Sequence, residues 1–217
     1  MTAGEMVVEL IKQNIRPRDI VTRKALENAA AVVAASGGST NAALHLPAIA
    51  NECGIKFDLF DVAEVFKRTP YVADLKPGGR FVAKDMFEAG GVPLLMKTLL
   101  DHGFLHGNCM TVTGRTMREN LEKLAKPYPE DQQIIRPLSN PIKKDSHLRI
   151  LYGNLAPEGS VAKITGKEGL SFDGRARVYD GEEKATAAIL VNNVHGVAAA
   201  QPGLRSILDV APPRLCR

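Results

Sequence analysis

Apolar residues recur at helical spacing over the first 125 residues, and glycine or proline interrupts them at intervals. The pattern in residues 5–13 predicts a first helix that Arg16-Pro17 ends. Thr22 is a suitable N-cap for a second helix. The alanine-rich inner side of that helix predicts close packing against another backbone element, and its members are Ala25, Leu26, Ala29, Ala30, Val32 and Val33.

A stretch of small residues, Gly37-Gly38-Ser39-Thr40-Asn41, separates the second helix from a third over residues 42–53. Glycine adopts backbone angles that are closed to other residues, and Ser, Thr and Asn are good N-caps. The free N–H groups in the first turn of such a helix can bind a carboxylate or a phosphate. We therefore expect residues 37–41 to form the wall of an anion pocket, with an ordinary helix joint as the alternative.

Further breaks mark the helices that follow. Pro47 should kink the third helix or lie near its first turn, and Gly54 should end it. His45 lies between two leucines, which favours a partly buried, hydrogen-bonded histidine over a catalytic one. Asp61 is expected to cap a helix that runs to Arg68.

The glycine pair Gly90-Gly91 precedes a predicted helix over residues 93–100, as the pair at residues 37–38 precedes the third helix. The two pairs could frame one pocket or form two tight joints. Residues 110–113 are a strand candidate, and Thr116 with Glu119 forms a capping box.

The periodicity changes after a polar, proline-bearing stretch at residues 126–132, which is the expected domain boundary. Beyond it, alternating patterns predict strands at 148–152, 160–165 and 175–179, and a helix at 184–190.

Composition narrows the functional class. The 217 residues carry a net charge of +4 that is scattered along the chain, and aromatic residues make up only 5 %. A nucleic-acid interface would need a concentrated basic patch, so we expect no nucleic-acid partner. No apolar run reaches the length of a membrane span, and we expect a cytoplasmic protein. Cys53, Cys109 and Cys216 have no metal-ligand spacing and are expected to be free thiols.

The sequence Gly37-Gly38-Ser39-Thr40-Asn41-Ala42, with Leu44-His45-Leu46 after it, resembles the dihydroxy-acid dehydratase and phosphogluconate dehydratase family. Each further match is weak alone, but the series in this order is specific and covers roughly residues 4–190. These matches are Ala73-Asp74-Leu75-Lys76-Pro77-Gly78-Gly79, Glu88-Ala89-Gly90-Gly91-Val92-Pro93, Leu105-His106-Gly107, Thr111-Val112-Thr113-Gly114, Ile135-Arg136-Pro137-Leu138, Asn140-Pro141-Ile142 and Leu151-Tyr152-Gly153-Asn154-Leu155-Ala156-Pro157-Glu158-Gly159.

The resemblance implies an α/β fold: the C-terminal part of an α/β domain over residues 1–130, then the start of a β-rich swivelling, barrel-like domain over 135–190. The implied activity is that of a hydro-lyase that converts 2,3-dihydroxy-3-methyl acids to 2-keto acids in valine and isoleucine biosynthesis. The intact family uses an iron–sulfur cluster and Mg²⁺, and a homodimer is expected. The family's ligand cysteines, magnesium ligands and serine base have no counterpart here, so we assign no catalytic and no metal residue.

Three alternatives remain open. Residues 191–217 match no family motif and are expected not to belong to the fold. Because the family's metal ligands and base have no counterpart here, the first alternative is an internal fragment of the dehydratase that is inactive alone. The second alternative is a fragment of a sugar-acid (pentonate or phosphogluconate) dehydratase. The third is a non-catalytic remnant that serves as an association module.

Overall fold

The computed structural model of the protein describes residues 2–124, 128–154 and 156–164. In these ranges the chain forms a series of helices followed by an antiparallel hairpin. The helices are α1 (Thr2–Lys12), α2 (Pro17–Ile20), α3 (Arg23–Ser36), α4 (Ala42–Glu52), α5 (Leu59–Arg68), α6 (Ala83–Glu88), α7 (Gly91–Asp101) and α8 (Met117–Leu124), and the strands are β1 (Leu148–Gly153) and β2 (Ala156–Lys163).

The core forms around α3. Leu26, Ala30, Ala31, Ala34 and Ala35 are buried, and α4, α5 and α7 pack against this helix. The predicted inner side is confirmed for most of its members: Leu26 and Ala30 are buried, and Ala29, Val32 and Val33 are half-buried and pack against this core. Ala25 is only half-buried.

The alanines on α3 do allow close backbone approach, as predicted. The N–H groups of Val72 and Ala73 both donate to the Ala35 carbonyl oxygen at 3.0 Å. A larger side chain on this face would separate the two backbones. The segment around residue 72 is thereby fixed against the end of α3.

Residues beyond the predicted linker join the same core. The N–H of Asp74 donates to the Ile134 carbonyl at 2.8 Å, and that of Arg136 donates to the Val72 carbonyl at 2.9 Å. Ile135 and Leu148 are fully buried. The two-domain division over residues 1–130 and 135–190 stays a prediction. The mixture of helices with a small sheet is compatible with the α/β class.

The predicted strands fare differently. Strand 148–152 is confirmed as β1, whereas β2 begins at Ala156 rather than at Ser160. The strand expected at residues 110–113 is wrong, because Met110 forms only an isolated bridge with Thr116 around an intervening turn. The strand at 175–179, the helix at 184–190 and the tail 191–217 lie outside the described residues.

Helix ends follow local sequence closely. The Thr22 hydroxyl accepts from the Ala25 N–H at 3.2 Å, and the carboxylate of Glu119 accepts from the Thr116 N–H at 2.7 Å, which confirms both caps. The Asp61 cap was wrong: Asp58 caps α5, and Asp61 completes the box at the third helical position. Pro47 lies inside α4, and Gly54 follows its end with φ +70°.

None of the helices within the described ranges is long and apolar enough to cross a membrane.

Candidate functional site

The glycine pair at residues 37–38 ends α3 and turns the chain towards α4. Gly37 has φ +72°, and a Cβ there would lie 2.9 Å from the Tyr71 ring. Both the backbone conformation and the space therefore require glycine at this position. The N–H groups of Gly37 and Gly38 both donate to the Val33 carbonyl, which closes the helix end.

The prediction of free N–H groups in the first turn of α4 was wrong. The N–H groups of Ala42, Ala43 and Leu44 donate to the carbonyl oxygens of Ser39, Thr40 and Asn41, at 3.3, 3.0 and 3.1 Å respectively. This tight turn satisfies the amides that an anion would otherwise use.

Two other amides of this stretch remain available. Among the described residues, the N–H groups of Ser39 and Thr40 have no hydrogen-bond partner, whereas the Asn41 N–H donates to the Ser39 hydroxyl at 3.2 Å. The assignment of residues 37–41 to a pocket wall stays a prediction, and these two amides are the donors that such a wall could offer.

A buried histidine from a distant part of the sequence holds the glycine pair in place. The Nε2 of His147 donates to the Gly38 carbonyl oxygen at 2.8 Å, and its ring packs against Tyr71 with centroids 5.1 Å apart. His147 is 1 % exposed. Burial lowers the pKa of His147 below its ordinary value, and Lys163 and Lys143 act in the same direction, against the backbone groups of Gly38 and Ala34, which raise it. The imidazole is therefore neutral at pH 7.

The Nδ1 atom of His147 is buried without a hydrogen-bond partner among the described residues. Because Nε2 carries the proton, Nδ1 is an unpaired acceptor. Sequence reasoning did not single out this histidine, because nothing local distinguishes it from a surface residue.

His45, in contrast, is exposed, so its predicted partial burial was wrong. It lies on the outer face of α4 next to Leu44, which is 71 % exposed.

The second glycine pair has a packing role. Gly90 has φ +124° and Gly91 φ +71°, and a Cβ on Gly90 would lie 2.8 Å from a methyl group of Leu94. Neither glycine pair lines any of three cavities that lie among the described residues. The shared pocket of the two glycine pairs stays a prediction.

The sequence also did not predict a cluster of charged groups around Glu27, which lies on α3. His106 Nε2 and Glu27 Oε2 are 2.7 Å apart, and Arg23 and Arg68 lie 3.2 and 3.6 Å from the same carboxylate. Burial raises the pKa of Glu27, but the His106 hydrogen bond and the neighbouring cations outweigh it, so the pKa lies below its ordinary value. The carboxylate stays ionised at neutral pH.

Asn28 fixes the chain that carries this histidine. Its amide oxygen accepts from the His106 N–H at 2.7 Å and its amide nitrogen donates to the His106 carbonyl at 3.0 Å. Asn28 is 2 % exposed. The position of the Leu105-His106-Gly107 motif is therefore set by α3.

The described residues do not fit a metal or cluster site. Within them, no three His, Cys, Asp or Glu side chains lie close enough to share a metal ion. Cys109 is buried, and burial raises the pKa of its thiol, which opposes the thiolate form that iron requires. Cys53 is half-buried, and Cys216 lies outside the described residues.

Comparison with known proteins gives the family. The model of the dihydroxy-acid/6-phosphogluconate dehydratase N-terminal domain matches residues 1–120, and that of the C-terminal domain matches residues 133–199.

Individual relatives agree. Dihydroxy-acid dehydratase 2 of Bradyrhizobium diazoefficiens is 69 % identical over 189 residues, which are 87 % of this chain and 33 % of the relative. The protein of the same name in Mesorhizobium japonicum is 63 % identical over 191 residues, 88 % of this chain and 32 % of the relative. The mitochondrial dihydroxy-acid dehydratase of Aspergillus fumigatus is 55 % identical over 194 residues, with 89 % and 32 % covered.

The chain spans about a third of the length of the curated relatives it matches. The two family models together match most of its sequence, in the order that the motifs predicted. The chain belongs to the dihydroxy-acid/6-phosphogluconate dehydratase family.

Proposed function

We propose that the chain is part of a dihydroxy-acid dehydratase that converts 2,3-dihydroxy-3-methyl acids to 2-keto acids in the cytoplasm. The observation that carries this proposal is the 69 % identity to an enzyme named dihydroxy-acid dehydratase over 87 % of the chain. The reaction removes water, and it needs a Lewis acid for the hydroxyl and a base for the C2 proton.

The described residues would serve this reaction as scaffold. They offer no group of three metal-ligating side chains. We propose that the iron–sulfur cluster and Mg²⁺ of the family are held by other parts of the enzyme, which forms a homodimer, and that the present chain does not catalyse the reaction alone. The hairpin of β1 and β2 would begin the swivelling, barrel-like domain.

A segment exchange tests the proposed substrate. In the exchange enzyme, the matching part of this chain replaces 189 residues of the Bradyrhizobium protein. We expect this enzyme to release 2-keto acid from 2,3-dihydroxy-3-methylbutanoate at a rate within about tenfold of the parent rate. The parent enzyme, prepared anaerobically in the same way, is the control. Turnover should be measured with the dihydroxy acid and with a pentonate.

The result separates the alternatives. A preference for pentonate over the dihydroxy acid would favour the sugar-acid dehydratase. A folded exchange enzyme that contains its cluster but turns over neither acid would contradict both and favour the association module. The exposed apolar residues of α1, Val7, Val8 and Ile11, are the observation in favour of that module.

We propose further that residues 37–41 border the substrate pocket of the assembled enzyme. Thr40 is half-buried beside the two available amides, and its hydroxyl makes no hydrogen bond with any described residue. In the exchange enzyme, Thr40→Val should lower kcat/KM by about tenfold because it removes one hydrogen bond to the substrate. Thr40→Ser keeps the hydroxyl and is the matched control. Equal kcat/KM values for the two variants would count against the pocket wall.

A further inference from the structure

A polar cavity of about 260 Å³ lies between the turn that follows Asp74 and the segment at residues 132–140. Neither residue of the glycine pair Gly37-Gly38 lines it. The residues that line it are two arginines, three amide side chains and a proline, namely Arg80, Arg136, Gln132, Gln133, Asn140 and Pro137.

Arg80 is fixed on one wall of this cavity. Its Nε donates to Asp74 Oδ2 at 2.6 Å, and its main-chain N–H donates to Oδ1 at 3.1 Å. The guanidinium carbon lies 4.9 Å from the centre of the Phe81 ring. Among the described residues the terminal nitrogens of Arg80 have no partner, so this end of the fork can donate to a ligand.

Arg136 is fixed through its backbone on the other wall. Its N–H donates to the Val72 carbonyl at 2.9 Å. Between the same two backbone segments, the Asp74 N–H donates to the Ile134 carbonyl at 2.8 Å. Arg136 is half-buried as a residue, and its guanidinium forms neither an ion pair nor a hydrogen bond with any part of the chain that the structure describes. A partly desolvated cation without a counterion is unfavourable, and an anion relieves this cost.

Of the three side-chain amides that line the cavity, one is hydrogen-bonded to the backbone and two are available to a ligand. Gln132 is occupied by the backbone, since its Nε2 donates to the Ile135 carbonyl at 2.5 Å and its Oε1 accepts from the Ile135 N–H at 2.8 Å. The side chains of Gln133 and Asn140 are exposed and make no hydrogen bond within the described ranges. They add neutral donors at the mouth of the cavity.

The charges fix the sign of the ligand. Asp74 neutralises one of the two arginines, which leaves one positive charge at the cavity. We propose that this cavity binds a small oxyanion, a carboxylate or a phosphate, between the guanidinium groups of Arg80 and Arg136. Planar guanidinium forks match the oxygens of both anions, and the volume admits a phosphate or a five-carbon acid.

Titration of the 217-residue chain tests the site and distinguishes the two sources of the anion. Inorganic phosphate and 3-methyl-2-oxobutanoate are added separately at constant ionic strength, with sodium chloride as the balancing salt. Binding is followed calorimetrically and through the arginine Nε–H resonances. We expect one of the probes to bind with Kd near 1 mM.

Arg136→Gln should weaken that binding by about tenfold, because it removes the unpaired charge but no contact within the described fold. Arg18→Gln is the matched control, since Arg18 is an exposed arginine outside the cavity lining. Circular dichroism establishes that each variant is folded. If Arg136→Gln does not fold, Arg136→Lys replaces it, and the loss of the planar fork should still weaken binding.

Two results would overturn the proposal. One is that neither probe binds with Kd below about 20 mM, which is the level of non-specific ion binding. The other is that the Arg136 and Arg18 variants bind the probe equally.

Discussion

Replacement of Gly79 by alanine is expected to lower the free energy of unfolding by about 3 kcal/mol. A Cβ at this position would lie 2.4 Å from the Asp74 carbonyl carbon and from Asp74 Oδ1, and 2.6 Å from the Leu75 nitrogen. Two of these three atoms belong to the backbone, which cannot move aside without breaking the turn. Urea unfolding of the wild type and the variant measures the difference.

The same turn carries Arg80. The Gly79 N–H donates to the Leu75 carbonyl at 2.8 Å, and the N–H groups of Arg80 and Phe81 both donate to the Asp74 carbonyl. A shift of residue 79 would therefore move the Arg80 guanidinium away from Asp74. We expect Gly79→Ala to lose oxyanion binding as well as stability.

Gly4→Ala is the matched control. Gly4 lies in α1, and a Cβ there has no atom within 4 Å. Alanine is the better helix former by about 1 kcal/mol, so the control should be neutral or stabilising. If Gly79→Ala is as stable as Gly4→Ala, the close approach of residue 79 to Asp74 is contradicted.

The features that the sequence predicted well are local. The caps at Thr22 and Thr116, and the helix end at Gly54, depend on residues within one helical turn of each other. The family motifs are local in the same sense. Asp61 was misplaced by one turn because both Asp58 and Asp61 have the side chain that a cap requires.

The features that the sequence did not predict join distant residues. His147 reaches the Gly38 carbonyl across 109 positions, and Asn28 holds His106 across 78. Composition and periodicity do not predict such pairs, because a histidine or asparagine in a buried pair has the same local sequence pattern as one that is exposed on the surface. The prediction of free N–H groups in the first turn of α4 was wrong for a related reason. Three carbonyl oxygens of the preceding turn accept hydrogen bonds from these groups, and the direction of a backbone carbonyl cannot be read from residue types.

This distinction matters for the candidate site. The glycine pair was found from its residue types, but its position depends on Tyr71 and His147, which come from two later segments of the chain. Val72 and Ala73 complete the support through the Ala35 carbonyl. The segment after the predicted linker therefore contributes directly to the conformation of residues 37–41.

Removal of the His147 side chain should test this support. We expect His147→Ala to lower the free energy of unfolding by about 3 kcal/mol, because it leaves a cavity and an unpaired Gly38 carbonyl. His147→Gln should recover part of the loss, since its amide nitrogen can donate in place of Nε2. Denaturant unfolding at pH 7.5 measures both, and equal losses in the two variants would contradict a role for the hydrogen bond.

The pH dependence of stability provides a separate measurement. The pKa of His147 is lowered by burial in the folded chain, whereas in the unfolded chain it takes its ordinary value near 6.5. Below that pH the unfolded state binds a proton that the folded state does not, so stability is full above about pH 6.5 and falls as the pH decreases towards the folded-state pKa.

The wild type should therefore lose more stability between pH 7.5 and pH 5 than His147→Gln, which has no titrating group at this position. Carboxylates and the remaining histidines contribute equally to both proteins and cancel in the comparison. Parallel pH profiles for the two proteins would mean that residue 147 is accessible to protons in the folded state, and the glycine pair would then lack the buried anchor that the structure gives it.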